Sequence, residues 1–224
     1  MKKFALYVLF LFVVSILFFD CGVALTPKTT VKIPPKTNIE VFRLNIFHGE
    51  VENLYGLNLG IVNIIKGHMI GTQIGLLNSA ESESRKKNLS LQIGILNNSD
   101  NNYYGVKFGI FNVEIFRLGD PMPGSELEKE RKKIGAVLSI GLFNTMGGFN
   151  IGILNSGSVF NLGIVNFGET GFNVGIVNFG EEKQFQIGVL NFCKNGPVPI
   201  MIVVNYCRTT PSENSSTNEK ISDL

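Results

Sequence analysis

Apolar and polar residues alternate along most of this chain in a seven-residue phrase that recurs with little change. The phrase reads apolar, polar, apolar, Gly, apolar, apolar, Asn, and its clearest copies are FNIGILN, FNLGIVN, FNVGIVN and FQIGVLN between Phe149 and Asn191. Earlier copies occupy residues 57–63, 72–78, 91–97, 106–112 and 138–144. Because apolar residues at positions 1, 3 and 5 follow a period of two, each phrase predicts a β-strand with one buried face. The sequence therefore predicts an all-β protein built from repeats.

Two positions of the phrase are identical in all nine copies, and we predict structural roles for both. A Gly in the middle of every strand indicates a bend or a closely approaching backbone. An Asn at the end of every strand suits a turn, and it would form a hydrogen-bonded ladder if the copies stack in register. The predicted structural residues are Gly60, Gly75, Gly94, Gly109, Gly141, Gly152, Gly163, Gly175, Gly188, Asn63, Asn78, Asn97, Asn112, Asn144, Asn155, Asn166, Asn178 and Asn191.

The spacing of the phrases restricts the architecture. The last five terminal asparagines fall at positions 144, 155, 166, 178 and 191, so a phrase and its turn together take about a dozen residues. Seven extended residues span roughly 23 Å, and the remaining four can return at most about 14 Å, so one coil per phrase would require a corner at the central Gly. We favour a flattened β-solenoid in which two phrases form each coil and their apolar faces meet inside. An antiparallel meander, closed into a barrel or a sandwich, is the alternative.

The N-terminal sequence predicts export. A basic start followed by the apolar run Phe4–Phe19 is typical of a signal peptide, and the run is short for a membrane-spanning helix. Cys21 stands where a bacterial lipoprotein would be lipidated, and this is the reading we favour. Ordinary cleavage after Ala24 and retention of the apolar run as an anchor are the alternatives. Residues 26–37 carry three prolines and predict an extended tether.

These features divide the chain into four parts. Worn copies of the phrase at 42–48 and 199–205 extend the repeat at both ends, and the polar sequence after Cys207 predicts a disordered tail. Two long connections, 79–90 and 113–137, carry many of the charges and are the predicted binding loops. The predicted parts are a signal peptide (1–20), a lipid-anchor cysteine with its tether (21–41), the β-repeat domain (42–207) and the tail (208–224).

The residues that could perform chemistry are few and scattered. The formal net charge of +2 gives no support for nucleic-acid binding. His48 and His68 each lack neighbouring metal ligands, so we predict no metal and no cofactor. Cys193 and Cys207 occupy equivalent places two residues after an Asn. They are expected either as two small buried residues or as a candidate disulfide, and the disulfide would argue for one coil per phrase. No arrangement of a nucleophile with a base is present, so we predict that the protein is not an enzyme.

The repeat resembles that of a known family, the surface-repeat lipoproteins of spirochaetes (leptospires), which are built from runs such as GLQIGLLN. The matching runs are Tyr55–Asn63, Gln73–Asn78 and Gln92–Asn97, and the resemblance extends over about residues 40–206. It implies an exported, lipid-anchored protein at the outer membrane or cell surface. The expected function is a structural or interaction scaffold with a protein or host-surface partner, and a small outer-membrane barrel is the alternative.

Overall fold

The computed structural model describes residues 20–81, 87–100, 103–114, 137–145, 148–157, 159–168 and 170–208. The predicted signal peptide up to residue 19, the centres of both long connections (82–86 and 115–136) and the predicted tail from residue 209 lie outside this part. Among the described residues there is no helix that could cross a membrane.

The described residues form thirteen strands that belong to one sheet, which confirms the all-β prediction. Strand β3 is long because it continues around more than one coil without a break. The strands are β1 (Cys21–Thr26), β2 (Thr29–Ile33), β3 (Ile39–Ile74), β4 (Leu77–Ala80), β5 (Asn88–Ile93), β6 (Leu96–Ser99), β7 (Tyr103–Glu114), β8 (Val137–Thr145), β9 (Phe149–Gly157), β10 (Phe160–Gly168), β11 (Gly171–Gly180), β12 (Gln184–Cys193) and β13 (Ile200–Cys207).

The phrases stack in parallel, each directly on the one before it. Phe160 pairs with Phe149 on one side and with Phe172 on the other, and the same register carries Gly onto Gly and Asn onto Asn. The fold is therefore a β-solenoid, as favoured, and not a closed meander. The prediction of two phrases per coil was wrong, because one phrase makes one coil. The chain turns a corner just after the central Gly, where Ile164 and Ile176 drop out of the paired register.

The prediction that the large apolar residues meet inside the solenoid was also wrong. Position 2 of the phrase, which is polar in every copy, is fully buried in all nine coils, and so is the Asn at position 7. The residue after the central Gly points outward in every coil and is between 39% and 62% exposed, as at Leu142 and Val189. Along the phrases, the solenoid thus has a polar interior and an apolar exterior.

The width of the coil explains this inversion. A coil of about a dozen residues has a perimeter of only about 40 Å, and after the backbone is allowed for, the interior accepts amide-sized side chains and Gly but not Phe or Ile. Coils nearer the N-terminus are wider, since a longer stretch of chain separates Gly60 from Gly75 than separates Gly141 from Gly152. These wider coils enclose a small apolar core of Val51, Leu54, Ile65, Met69, Ala80, Tyr103 and Val137.

Both ends of the solenoid finish in an antiparallel strand. At the C-terminal end β13 pairs antiparallel with β12, and at the N-terminal end β1 stacks parallel on β3 while β2 pairs antiparallel with β1. Residues 29–33 therefore belong to the sheet, and the prediction of a free tether over 26–37 was wrong there. The alternation Val31, Lys32, Ile33 is short, and the prolines that flank it hid the strand.

Candidate functional site

A continuous column of buried asparagines runs through the solenoid, and we call it the amide ladder. It consists of Asn45 and the nine Asn residues at position 7. Each side chain donates from Nδ2 to the Oδ1 of the next Asn at 2.8–2.9 Å, from Asn45 through to Asn191. From Asn63 to Asn178, the second hydrogen of Nδ2 bonds a main-chain carbonyl of the next coil, as from Asn155 to Leu162 O (3.0 Å). The ladder predicted from the sequence is confirmed, and it satisfies polar groups that would otherwise be costly to bury.

The central Gly of each phrase leaves room for this ladder. A Cβ atom on Gly163 would overlap with the carbonyl oxygen of Gly152 in the coil below and with Nδ2 of Asn155. The same two kinds of neighbour, a Gly oxygen and an Asn amide, surround Gly152, Gly175 and Gly188. The prediction of a close backbone neighbour is thereby confirmed.

The outer surface of the phrases forms a second feature, which we call the apolar wall. It comprises positions 1, 3, 5 and 6 of the nine phrases. Of these 36 positions Thr72 alone is not apolar, and none carries a charge. The wall covers both sides of the corner, with positions 1 and 3 on one side and position 6 on the other. At the C-terminal end, Phe167 continues it and stacks on Phe179 with ring centres 5.0 Å apart.

The exposed charges occupy the remaining part of each coil, between the Asn of one phrase and the start of the next, which we call the polar side. Glu50, Lys66, Lys87, Glu181 and Lys194 lie there. The predicted loops 79–90 and 113–137 leave and re-enter the solenoid on this side, although their centres lie outside the described residues. Charge and apolar surface are therefore separated around the solenoid axis.

Among the nine phrases, the buried side chain that can carry a charge is that of Lys107. Lys107 occupies position 2, between Gln92 and Ser139 in the neighbouring coils. Its Nζ donates to Val113 O (3.2 Å) and lies 4.9 Å from the centre of the Tyr103 ring. Burial lowers the pKa of Lys107 to about 7, against the opposing influence of nearby carboxylates. Burial also raises the pKa of the Tyr103 hydroxyl, which donates to Ser90 O (3.0 Å).

The N-terminal end of the interior is closed by a buried ion pair. Arg43 donates to Glu40 Oε2 (2.9 Å) and from Nε to Oδ1 of Asn45 (2.8 Å), so it connects the carboxylate to the first member of the amide ladder. Lys32 of β2 reaches the same carboxylate at 3.1 Å. The hairpin of β1 and β2 is thus held to β3 by the Lys32–Glu40 ion pair as well as by the strand pairing of β1 with β3.

Cys21, the predicted lipidation site, is the first residue of β1. It pairs with Phe42 and with Ile33, and it therefore lies in line with position 1 of the phrases, at the edge of the apolar wall. Burial, with Asp20 and Glu40 nearby, raises the pKa of its thiol. Ala24, the residue before the alternative cleavage point, is fully buried and pairs with Asn45.

The other predicted site residues are explained by the fold. Cys193 and Cys207 form a disulfide with their Cα atoms 5.4 Å apart, so the candidate disulfide is confirmed. Because β13 runs antiparallel to β12, one coil per phrase is shown by the parallel register of the phrases and not by this bond. His68 donates from Nε2 to Lys87 O (2.9 Å) and bonds the Tyr55 hydroxyl through Nδ1 (3.0 Å). His48 lies 3.8 Å from Glu50. No group of three or more metal ligands occurs in the described part of the chain.

Comparison of the chain with protein-family models, with curated proteins and with solved structures finds no match.

Sequence reasoning missed the apolar wall and the role of position 2. The signal was present, because position 2 is Asn, Gln, Lys or Ser in every copy, whereas a solvent-facing column would be expected to include Glu, Asp and Thr as well. A column restricted mainly to amides suits a narrow interior, because each amide can both donate and accept hydrogen bonds. The candidate site is therefore the exterior of the solenoid, together with Cys21, the first residue of β1.

Proposed function

We propose that the protein is exported and lipid-anchored through Cys21, and that its rigid solenoid acts as a scaffold in the cell envelope. The observation that carries the proposal is the position of Cys21. It closely follows the apolar run 4–19 and opens the first strand of the folded body, in line with position 1 of the apolar wall. An acyl chain attached there would join a surface that is already apolar.

The rival processing site fits the fold less well. Cleavage after Ala24 would remove four of the six residues of β1, including the buried Ala24 that pairs with Asn45. Retaining Cys21 keeps the strand whole. The disulfide between Cys193 and Cys207 adds support, because disulfides persist in oxidising compartments outside the cytoplasm.

The scaffold role is supported by the amide ladder and by the placement of the loops. A stack held by a continuous column of hydrogen bonds is stiff, and both long connections start from its polar side. Loops on a rigid scaffold are where contacts with a protein or host-surface partner are expected. The barrel alternative is not retained, because the sheet is a stack of coils.

Metabolic labelling with a radioactive fatty acid tests the anchor. We expect label in the wild-type chain and none in Cys21→Ala, with Cys193→Ala as the control that keeps its label. Mass spectrometry of the purified protein should place an acylated Cys21 at the mature N-terminus. A mature chain that begins at Leu25, or equal labelling of Cys21→Ala, would refute the anchor. Protease shaving of intact cells, with detection of the 113–137 loop, tests surface display.

A further inference from the structure

The apolar wall is larger than the apolar patches that monomeric proteins usually expose to water. Neighbouring strands are about 4.8 Å apart and residues rise about 3.3 Å along a strand, so nine stacked phrases give a surface roughly 43 Å long and about 20 Å around. The largest apolar patch on a typical monomeric protein covers about 300–600 Å². The wall exceeds this range and carries no charge at any of its 36 positions.

We propose that the apolar wall inserts into the hydrocarbon surface of a lipid bilayer, with the solenoid axis lying in the membrane plane. In this orientation the corner at position 5 points deepest into the acyl chains. The polar side, with Glu50, Lys66, Glu181 and Lys194, faces the head groups and water. The separation of charge from apolar surface around one axis is the arrangement by which amphipathic helices lie in a membrane interface.

The backbone of the solenoid suits a lipid environment. Lipid offers no hydrogen-bond partners, so backbone groups must be paired within the protein. In the wall, the residues on either side of the corner pair with the neighbouring coils, as Phe160 does with Phe149 and Phe172. At the corner itself, the position-5 N–H bonds the position-5 carbonyl of the preceding coil, as from Ile95 to Leu76 O (3.0 Å) and from Ile110 to Ile95 O (3.0 Å). The wall therefore presents apolar side chains over a backbone that is already paired.

A second copy of the chain is a poorer occupant for two reasons. The wall bends just after the central Gly, so a flat partner contacts only one of its two sides. One side measures about 10 Å by 43 Å. This area is roughly half of the 800 Å² that each partner buries in a standard interface. Interfaces between proteins also carry about one hydrogen bond per 100–200 Å², and the wall provides one polar side chain, Thr72, in 36 positions. Fluid acyl chains cover both sides of a corner and need no hydrogen bonds.

Within the described residues nothing covers the wall, whose position-5 side chains are all exposed. The apolar run 4–19, as one extended strand about 5 Å wide, would cover a fraction of the wall. Val23 and Val31 of the N-terminal hairpin, like Leu44, point outward in line with position 3 and extend the wall to that end.

Flotation with phosphatidylcholine vesicles tests the inference, using the exported chain with Cys21→Ala so that no acyl group contributes. We expect this protein to float with the vesicles at both low and high salt, because the attraction is apolar. The double variant Ile153→Glu, Ile164→Glu places two carboxylates at position 5, and its partition into vesicles should fall at least about tenfold. The control Lys194→Glu lowers the net charge by the same amount on the polar side, where the Lys194 side chain is 73% exposed, and it should float as before.

A single tryptophan reports the depth, because the chain contains none. Ile164→Trp should be strongly quenched by lipids brominated on the acyl chain, and Lys194→Trp only weakly. A circular-dichroism spectrum confirms that each variant keeps its strands. Failure to float, equal quenching at both sites, or a soluble dimer that ignores vesicles would overturn the inference, and the dimer would assign the wall to a second copy. Because Cys21 is absent, loss of the lipid anchor proposed above would not affect this result.

Discussion

At the scale of single residues, the phrase divides its seven positions between two opposite environments. Asn and Gly face a narrow channel in which the ladder amides bond one another, and the branched and aromatic residues face outward. The central Gly is required because the neighbouring Gly oxygen and the ladder amide occupy the space that a Cβ would need. A side chain's environment here depends on the width of the coil more than on its own polarity.

Removing one member of the amide ladder should destabilise the whole stack. In Asn166→Ala, Nδ2 of Asn155 loses its 2.9 Å acceptor and Oδ1 of Asn178 loses its 2.8 Å donor. Two buried polar groups without partners cost about 2–4 kcal/mol of unfolding free energy. Denaturant unfolding in a mild detergent measures this cost, with the outward-facing Ile164→Ala as control. Equal, small effects of the two substitutions would contradict the structural role of the ladder.

The buried Lys107 should make stability depend on pH. Its pKa is about 7 in the folded protein and about 10.4 when unfolded, so between these values the unfolded chain binds more protons. The free energy of unfolding therefore rises with pH in this window, by about 2 kcal/mol from pH 7 to pH 9. Well below pH 7, Lys107 is protonated in both states and contributes no pH dependence. Lys107→Gln, which places in the column an amide like its neighbour Gln92, should abolish the rise.

Unfolding curves at pH 7 and pH 9 provide the measurement. Replacement of the exposed Lys194 by Gln is the matched control, and it should keep the rise seen in the wild-type protein. If the Lys107→Gln protein shows the same rise as the wild type, a different group is responsible for it.

At the scale of elements, the antiparallel strands at the two ends distinguish this solenoid from an open stack. A parallel coil offers its unpaired edge to any similar coil, which is the route to end-to-end assembly. Strand β13 covers the edge of β12, and the disulfide between Cys193 and Cys207 holds it there. At the end of the amide ladder, Asn191 donates from Nδ2 to Met201 O (3.3 Å), and Asn205 donates from Nδ2 to the main-chain oxygen of Asn191 (3.3 Å).

Truncation after Lys194 should convert the protein into an assembling species. It removes β13 and the disulfide, so β12 and the last rung of the ladder are exposed to another chain. We expect growth of fibres in mild detergent, detected by light scattering and thioflavin fluorescence. Truncation after Arg208, which removes only the tail, should leave the protein unassembled. A truncated protein that stays monomeric would show that β13 does not protect this edge.

At the scale of the whole molecule, the sequence predicted more of the fold than of the site. Period two, the repeated Gly and the repeated Asn sufficed for an all-β solenoid with a ladder. The prediction placed the apolar side chains inside the solenoid and the polar ones outside, which is the reverse of the structure. It rested on the rule that apolar residues are buried, and that rule requires a coil wide enough to hold them. The short step from Asn144 to Asn155 already implied a narrow coil, provided that Gly141 and Gly152 were accepted as corners. The apolar wall, which follows from the same geometry, could not be recognised until the corner was known.

A narrow stack of equivalent coils should also tolerate the loss of one of them. Deleting residues 149–159 removes one whole coil and brings Phe160 onto Leu138, the partner that Phe149 has in the intact protein. The ladder then continues from Asn144 to Asn166. At about 0.1 kcal/mol per residue the cost is about 1 kcal/mol, or a few degrees in Tm. Deleting residues 151–156 instead breaks the register within a coil and should abolish cooperative unfolding. Circular dichroism with thermal unfolding compares the two, and loss of the β spectrum in both would mean that the coils are not interchangeable units.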